Sequence, residues 1–334
     1  MQLKLALATA LTVSTALPAL ADVNVYSYRQ PELIQPLVDA FTDETGIAVN
    51  VAFLNTGMVE RLQAEGMRSP ADVVLTVDIS RLAELVAAGV TQPVESEVLT
   101  GQIPATYRDP GNQWFGLTTR ARIVYASKDR VAEGEVTSYE DLADPKWEGR
   151  ICTRSGTHAY MVALTAAAIH HHGEDGARAW LEGVKANLAM KPQGNDRAQV
   201  KSIWAGECDI SLGNTYYMGA MIEDEEQKAW ADTVRIEFPA FETGGTHVNV
   251  SGMAMTKAAP NREDALKFME FLASDAAQAI YAEAVYEYPV NPDVPNSALV
   301  ESWGSFTADE VNLMDLAKLR PDALRLTQEV DYDG

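Results

Sequence analysis

Residues 114–127 read WFGLTTRARIVYAS, a long stretch whose pattern predicts extended backbone. A second such stretch, THVNVSGMAMT at residues 246–256, alternates side chains with a clearer period of two. About 130 residues separate the two stretches. The economical interpretation is that the chain crosses between two lobes twice, so that the first lobe contains both ends of the chain.

The segments on either side of the first crossing alternate strand and helix patterns. Before it, strand patterns alternate with helical patterns over residues 23–28, 32–45, 47–53, 58–65, 71–76 and 80–88. Between the crossings, a helix start at 137–143 and a strand at 151–152 precede helices at 159–171 and 176–186 and a strand at 209–212. Alternation of this kind predicts an α/β fold with mostly parallel sheets.

We therefore predict two α/β lobes joined by two hinge strands, with a central ligand cleft. Residues 22–118 and 250–304 make the N-terminal lobe, and residues 119–249 make the C-terminal lobe. The hinges lie near residues 118–122 and 249–252. Ligands favour clefts of this kind, between domains and at the carboxyl ends of parallel strands.

The last thirty residues, 305–334, are predicted to form a polar helical tail. Their sequence does not assign them to either lobe. Glu329, Asp331 and Asp333 lie close together at the end of the chain, and we expect this end to be frayed.

The composition excludes several classes of protein. Hydrophobic residues make up 47% and charged residues 22% of the 334 residues, which excludes disordered and fibrous proteins. There are 48 acidic and 26 basic residues, and the formal net charge is −22. Because such a charge repels phosphate backbones, we expect no nucleic-acid partner.

The N-terminus predicts export. Residues 1–21, MQLKLALATALTVSTALPALA, combine Lys4, an apolar stretch and a small-residue ending, which is typical of a signal peptide cleaved before Asp22. The alternatives are a membrane anchor and a buried first helix, but Thr12, Ser14, Thr15 and Pro18 interrupt the apolar run. No other stretch is long and apolar enough to span a membrane. We expect a soluble periplasmic monomer.

Two cysteines, Cys152 and Cys208, remain in the exported chain. They are either joined in a disulfide or are two buried thiols. Export into an oxidising compartment favours the disulfide.

The sequence shows no pattern of a catalytic site. It contains no GxSxG, HExxH, GxxxxGK[ST] or GxGxxG motif, so we expect no enzyme. His170, His171 and His172 are consecutive, and neighbouring residues on a helix point in different directions. We therefore interpret them as a solvated helix end rather than a metal site.

Tyrosines provide the sharper signal. Tyr216 and Tyr217 follow a short strand directly, where a turn of the chain could aim both phenols into a cleft. The alternative is one core and one surface tyrosine, and Tyr160, near a helix start, could likewise be a packing residue. If all three share a cleft, only a strong positive charge would ionise them at neutral pH. Three phenolates would neutralise a trivalent cation such as ferric iron.

Long blocks of the sequence resemble the periplasmic ferric-ion-binding proteins of ABC iron transporters, particularly the branch found in cyanobacteria and marine bacteria. The blocks are SPADVVLTVDISRL (69–82), WFGLTTRARIVYASKDRV (114–131), YEDLADPKWEGRICTRSGTHAY (139–160), PQGNDRAQVKSIWAGECDISLGNTYYMG (192–219) and GGTHVNVSGMAMTKAAPN (244–261). The resemblance implies a type II periplasmic-binding-protein fold. It also implies delivery of iron to an inner-membrane ABC permease.

The resemblance also implies a ligand set. Tyr160, Tyr216 and Tyr217 match the iron-binding tyrosines of the family, and Arg120 matches an arginine that can hold carbonate or another anion. Without the resemblance, Arg120 could equally form a hinge salt bridge. Many relatives carry a His-Tyr pair after the first strand, but this chain has Tyr28 and Arg29 there. Either residue could be an additional metal or anion contact, or Tyr28 could be a wall residue.

Three hypotheses follow from the sequence. The leading one is a periplasmic protein that captures ferric iron between two lobes. The second is a receptor for an organic or anionic solute that the tyrosines and Arg120 contact, and the departure at Tyr28 and Arg29 favours it. The third is an exported enzyme, which no motif supports.

Overall fold

The computed structural model of the chain describes residues 22–334, so the predicted signal peptide, residues 1–21, lies outside the described residues. The α/β prediction is confirmed. The strands are β1 (Val23–Ser27), β2 (Val49–Phe53), β3 (Val73–Thr76), β4 (Phe115–Ser127), β5 (Ile151–Cys152), β6 (Ile210–Asn214), β7 (Val234–Glu237), β8 (Val248–Met255) and β9 (Tyr288–Pro289).

Helices follow most of these strands. They are α1 (Pro31–Thr45), α2 (Met58–Glu65), α3 (Ile79–Ala87), α4 (Glu97–Gln102), α5 (Ala159–Ala186), α6 (Asp196–Trp204), α7 (Tyr216–Glu223), α8 (Lys228–Ala231), α9 (Arg262–Ala273), α10 (Asp275–Val285), α11 (Ala298–Glu301) and α12 (Leu313–Glu329). The predicted helix start at residues 137–143 is only a 3₁₀ turn, Glu140–Ala143.

The sheet order is β2-β1-β3-β8-β4-β6-β5, with β7 and β9 also paired to β4. The two predicted crossing stretches are β4 and β8, which pair with each other antiparallel. The first half of β4 pairs with β8 up to Ala121, and the second half pairs with β6 from Arg122 onward. One strand thus links an N-terminal sheet (β1, β2, β3 and β8) to a C-terminal sheet (β5, β6 and β7).

Burial of apolar faces explains the first strand-helix-strand unit. Helix α1 turns Ile34, Leu37, Val38 and Phe41 toward the sheet, and the ring of Phe41 lies edge-on to Phe268 of α9 with centroids 5.1 Å apart. Gly46 ends the helix at φ 71°, a left-handed conformation that glycine adopts without a Cβ clash. Strands β1 and β3 are largely buried, as central parallel strands require.

The tail is docked through helix α12 and its last residues, so the expectation of a frayed end is wrong. Helix α12 packs along α5 and also contacts α3. The ring of Tyr332 is 1% exposed, and the Asp333 carboxylate accepts hydrogen bonds from the Ser155 hydroxyl and the Gly156 amide. An aromatic residue in the last three positions, which the sequence reasoning passed over, supplies the apolar contact that holds the end.

The three consecutive histidines lie at a helix end, as predicted, but two of them are not solvated. The first helical stretch of α5 breaks directly after them at Gly173, whose φ of 70° and ψ of 175° are not helical. His171 Nε2 lies 2.6 Å from Asp309, and His172 Nε2 lies 2.6 Å from Glu140. Only His170 is exposed. Within residues 22–334, no group of three or more His, Cys, Asp and Glu side chains is arranged to hold a metal.

The predicted disulfide between Cys152 and Cys208 is present in the structure and closes a sequence separation of 56 residues. It ties the end of β5 to the segment before β6, its parallel neighbour. Both sulfur-bearing residues are buried.

Replacing both cysteines by alanine is expected to lower the free energy of unfolding by about 4 kcal/mol, the loop-closure value for this separation. Denaturant titration of the oxidised protein and the double variant measures the difference. Equal stability of the two proteins would show that the bond contributes nothing to the folded state.

Among the helices of residues 22–334, none combines the length and the apolar character that a membrane span requires.

Candidate ligand cleft

Two adjoining cavities form a cleft between the N-terminal and C-terminal sheets. The first has a volume of about 490 Å³ and is lined by Tyr28, Arg29 and Glu287 among others. The second has a volume of about 410 Å³ and is lined by Tyr160 among others. Their shared wall consists of Val77, Arg81, Arg120, Tyr216 and Tyr217. The three sequence-predicted tyrosines therefore line one cavity, the second.

Tyr160 enters the cleft from the first turn of α5, just after strand β5. The side chain of His158 caps the helix by accepting a hydrogen bond from the Tyr160 amide at 3.3 Å. The Tyr160 hydroxyl donates to the Leu212 carbonyl at 3.3 Å. The Arg122 guanidinium stacks on the phenol ring, 3.7 Å from its centroid. The residue is thus held by both backbone and cation–π contacts.

Tyr216 and Tyr217 are the first two residues of α7 and follow β6 directly. Their rings tilt against each other with centroids 4.3 Å apart, and both residues are half-buried. The Tyr216 hydroxyl accepts a hydrogen bond from Asn214 Nδ2 at 3.4 Å. Because a helix start turns the chain away from strand geometry, both phenols reach the cleft, and the alternative of one core and one surface tyrosine is wrong.

A buried polar network supports the strand end that carries this pair. The Asp196 carboxylate accepts a hydrogen bond from the backbone amide of Asn214 at 3.0 Å and another from a guanidinium N–H of Arg154 at 2.8 Å. Arg122 donates to the Asn214 side-chain oxygen at 2.7 Å. Buried charges require such pairing. The network fixes the strand end from which helix α7 starts at Tyr216. Its two arginines, Arg122 and Arg154, line the second cavity.

Arg120 and Arg29 converge on one buried carboxylate, Glu287. Arg29 donates to Glu287 at 3.0 Å and to Ser251 at 2.7 Å, and Arg120 donates to the same Ser251 hydroxyl at 2.8 Å. Arg120 lies 3.8 Å from Glu287, so the hinge salt bridge exists alongside any role in binding. Burial alone would raise the pKa of Glu287, but Arg29, Arg120 and the Thr118 hydroxyl hold it below its ordinary value.

Arg29 and Tyr28, the two residues after the first strand, are engaged in different ways. Arg29 is buried and also donates to the Tyr281 hydroxyl at 3.0 Å. Tyr28 is half-buried, and its hydroxyl accepts a hydrogen bond from the Met58 backbone amide at 3.0 Å. The Arg81 guanidinium lies 3.9 Å from the centroid of the Tyr28 ring. Arg29 is therefore engaged in a structural network, whereas Tyr28 keeps a phenol at the cavity wall.

The cleft is basic although the chain is strongly acidic. Seven arginines line it, against three acidic side chains; the arginines are Arg29, Arg81, Arg120, Arg122, Arg154, Arg197 and Arg320. Helices α3, α5 and α7 also begin at its wall, and helix N-termini favour negative charge. Sequence reasoning missed most of these arginines because they are dispersed along the chain. The TRAR run at 119–122 was the one local signal.

Burial controls the protonation of the phenols in the ligand-free protein. It raises the pKa of Tyr160 well above the ordinary value, although Arg122 and Arg154 oppose the shift. Burial and the neighbouring Tyr217 likewise raise the pKa of Tyr216. His158 is neutral at pH 7, because burial, Arg154 and Arg122 lower its pKa to about 4. Ionising Tyr160 and Tyr216 therefore requires a further positive charge in the cleft.

Comparison with known proteins agrees with this architecture. Residues 68–305 match the family described as bacterial extracellular solute-binding protein. Iron uptake protein A1 of Synechocystis sp. is 44% identical over 93% of this chain and 87% of its own length. Ferric iron-binding protein A of Mannheimia haemolytica, in an open conformation, superposes with a TM-score of 0.91 at 51% identity, over 94% of this chain and 99% of that one.

A further solved structure shows a ligand. It is the Trichodesmium protein IdiA (FutA) in complex with iron and citrate, with a TM-score of 0.90, 41% identity, and coverage of 93% of this chain and 100% of that one. These neighbours confirm the predicted type II periplasmic-binding-protein fold. The chain belongs to the family of bacterial extracellular solute-binding proteins that includes the iron uptake and ferric iron-binding proteins.

Proposed function

We propose that this protein captures ferric iron in the cleft and hands it to an inner-membrane ABC permease. The observation that carries the proposal is that Tyr160, Tyr216 and Tyr217 line a single cavity. Phenolate oxygens are hard donors that suit a small trivalent cation. The named relatives are iron uptake and ferric iron-binding proteins, which supports binding and transport rather than catalysis.

The ligands we propose are the three phenolates of Tyr160, Tyr216 and Tyr217. Together they would neutralise the three charges of the ion. Tyr28 lines the first cavity together with Tyr217 and is the candidate for a fourth oxygen when the lobes close. Arg29 is not proposed as a contact, because its guanidinium is already bonded to Glu287, Ser251 and Tyr281.

An anion completes the proposed site. Arg122 and Arg154 both line the second cavity. Guanidinium groups at a cavity wall favour a bound oxyanion such as carbonate, which arginine recognises through paired N–H groups. Arg120 borders both cavities and would hold the same anion from the hinge side.

The family and the N-terminal sequence support a proposal for location and partner. The family is one of extracellular solute-binding proteins. We propose that residues 1–21 direct the chain to the periplasm, where Cys152 and Cys208 oxidise and the monomer meets its permease. The lobe boundaries proposed at 118/119 and 249/250 put the hinge in β4 and β8, which pair with each other just before β4 enters the C-terminal sheet.

Metal analysis tests the assignment. The mature chain is loaded with ferric citrate, freed of excess iron by gel filtration, and analysed for iron and protein. We expect one iron per chain. Iron that elutes away from the protein would overturn the proposal.

Iron binding is expected to weaken steeply as the pH falls. Tyr160 and Tyr216 are protonated in the ligand-free protein because burial raises the pKa of each, so binding must release their protons. For each phenol that must lose its proton on binding, the iron affinity falls about tenfold for each unit by which the pH is lowered. Loading measured from about pH 6 to pH 8 at a fixed free ferric concentration checks this. An affinity that does not change over that interval would contradict phenolate ligation.

The basic cleft also favours a second candidate, a receptor for an anionic organic solute. In that case the seven arginines would bind its carboxylate or phosphate, and the tyrosines would stack on it or hydrogen-bond to it. A thermal-shift panel of carboxylates and phosphates, with and without ferric ion, separates the two. Stabilisation by an organic anion without iron supports the receptor.

A further inference from the structure

Tyr286 has an unusual backbone conformation at the end of α10. Its φ of 54° and ψ of 37° are left-handed, a region that bulky side chains rarely occupy. Such conformations persist where surrounding contacts hold them, and they concentrate at functional sites. Tyr286 also lines the first cavity. The contact that holds this conformation comes from helix α7.

The ring of Tyr286 rests on a glycine of the helix that carries the tyrosine pair. A Cβ built on Gly219 would lie 2.4 Å from Cγ of Tyr286 and 2.6 Å from its Cδ2. Gly219 is buried within α7, two residues after Tyr217. Glycine inside a helix is unfavourable by itself, and here its lack of a side chain admits the ring.

The contact joins the two lobes. Helix α10, which ends at Tyr286, packs against α1 and α9, whereas α7 packs against α6 and α8. Glu223, also on α7, lies beside the phenol, and the pKa of Tyr286 is raised by burial and by this carboxylate. Glu287, the next residue, makes the buried ion pairs with Arg29 and Arg120.

Two locally unfavourable features, a left-handed tyrosine and a glycine within a helix, thus meet across the cleft. In most positions the conformational preference of a residue agrees with the conformation that the fold imposes on it. Positions that depart from this agreement are often functional. We propose that Tyr286 and Gly219 form a latch that holds α7, with Tyr216 and Tyr217, against the N-terminal lobe and slows iron release. The inference rests on the proposed function, because it assigns the latch to the same iron site.

Three variants test the latch. Gly219→Ala keeps the tyrosine but fills the space under its ring, Tyr286→Gly removes the ring and relieves the backbone, and the double variant combines them. Gly101→Ala is the matched control, because Gly101 is also in a helix but has nothing within 4 Å of its added Cβ. Iron dissociation into excess EDTA is followed in each protein, together with small-angle X-ray scattering of the iron-free chain.

We expect each single variant to release iron about tenfold faster, equivalent to about 1.4 kcal/mol, with the iron absorption band unchanged. The double variant should be no faster than Tyr286→Gly, because the added Cβ then meets no ring. Both single variants should also have a larger radius of gyration without iron. Wild-type rates and dimensions in both variants, or rate increases that multiply in the double variant, would overturn the latch.

The scattering result separates this inference from the proposed function. If the wild type binds no iron but the single variants still expand, the iron assignment fails, and only the part of the latch that holds the two lobes together stands. If iron binds and neither variant changes in rate or size, the latch fails and the iron assignment stands.

Discussion

Replacing Tyr217 by phenylalanine is expected to lower ferric affinity by more than about 100-fold, since even groups that only support a metal ligand are worth about 10- to 100-fold. Tyr217→Phe removes a phenolate oxygen and leaves the ring, which packs 4.3 Å from that of Tyr216. Tyr160→Phe should act similarly, although its hydroxyl also donates to Leu212. Competition with citrate at fixed pH measures the affinities.

Tyr288→Phe is the control for this series. The Tyr288 hydroxyl is buried without a hydrogen-bond partner in the described chain, so its removal should leave iron affinity unchanged and should not lower stability. Unfolding curves should show that Tyr217→Phe remains as stable as the control. Wild-type affinity in Tyr217→Phe would remove this residue from the ligand set, and an equal loss in Tyr288→Phe would indicate a general effect on folding.

Replacing Glu287 by glutamine is expected to lower the free energy of unfolding by about 3–5 kcal/mol, the usual cost of leaving a buried charge without its partner. Glu287 is 1% exposed and lies between Arg29 at 3.0 Å and Arg120 at 3.8 Å. An amide keeps the shape of the carboxylate but leaves two buried guanidinium groups uncompensated. Urea unfolding of the iron-free protein measures the loss.

The same variant should change the response to acid. Because the pKa of Glu287 is lowered in the folded protein, its stabilisation is present above the unfolded-state pKa and is lost as the pH falls through the folded-state value. Glu287→Gln should therefore lose less stability than the wild type on acidification. Glu133→Gln, at an exposed position, is the control. If Glu287→Gln is as stable as this control, the two arginines do not depend on Glu287.

The sequence was sufficient for the parts of the account that depend on local patterns. Period-two alternation located both crossing strands, and the order of strands and helices predicted the α/β fold. The tyrosine candidates were found because Tyr216 and Tyr217 directly follow a strand and Tyr160 starts a helix. The resemblance to ferric-ion-binding proteins then linked these three tyrosines to one iron site.

What the sequence could not provide are contacts between distant segments. Glu287 and Arg29 are 258 residues apart, so nothing local shows that Arg29 is bonded rather than free to bind a ligand. The end of the tail was judged by its acidic residues, whereas burial of Tyr332 decides its position. Likewise, His171 and His172 pair with Asp309 and Glu140, which only the fold brings near them.

A visible absorption titration of the mature protein with ferric citrate tests the central claim most directly. Ligation by Tyr160, Tyr216 and Tyr217 predicts a red-orange phenolate-to-iron band that saturates at one iron per chain and is weakened or shifted in Tyr217→Phe. Bound iron without such a band would mean that other groups hold the metal. The absence of both the band and bound iron would contradict iron capture and would direct the search to anionic solutes.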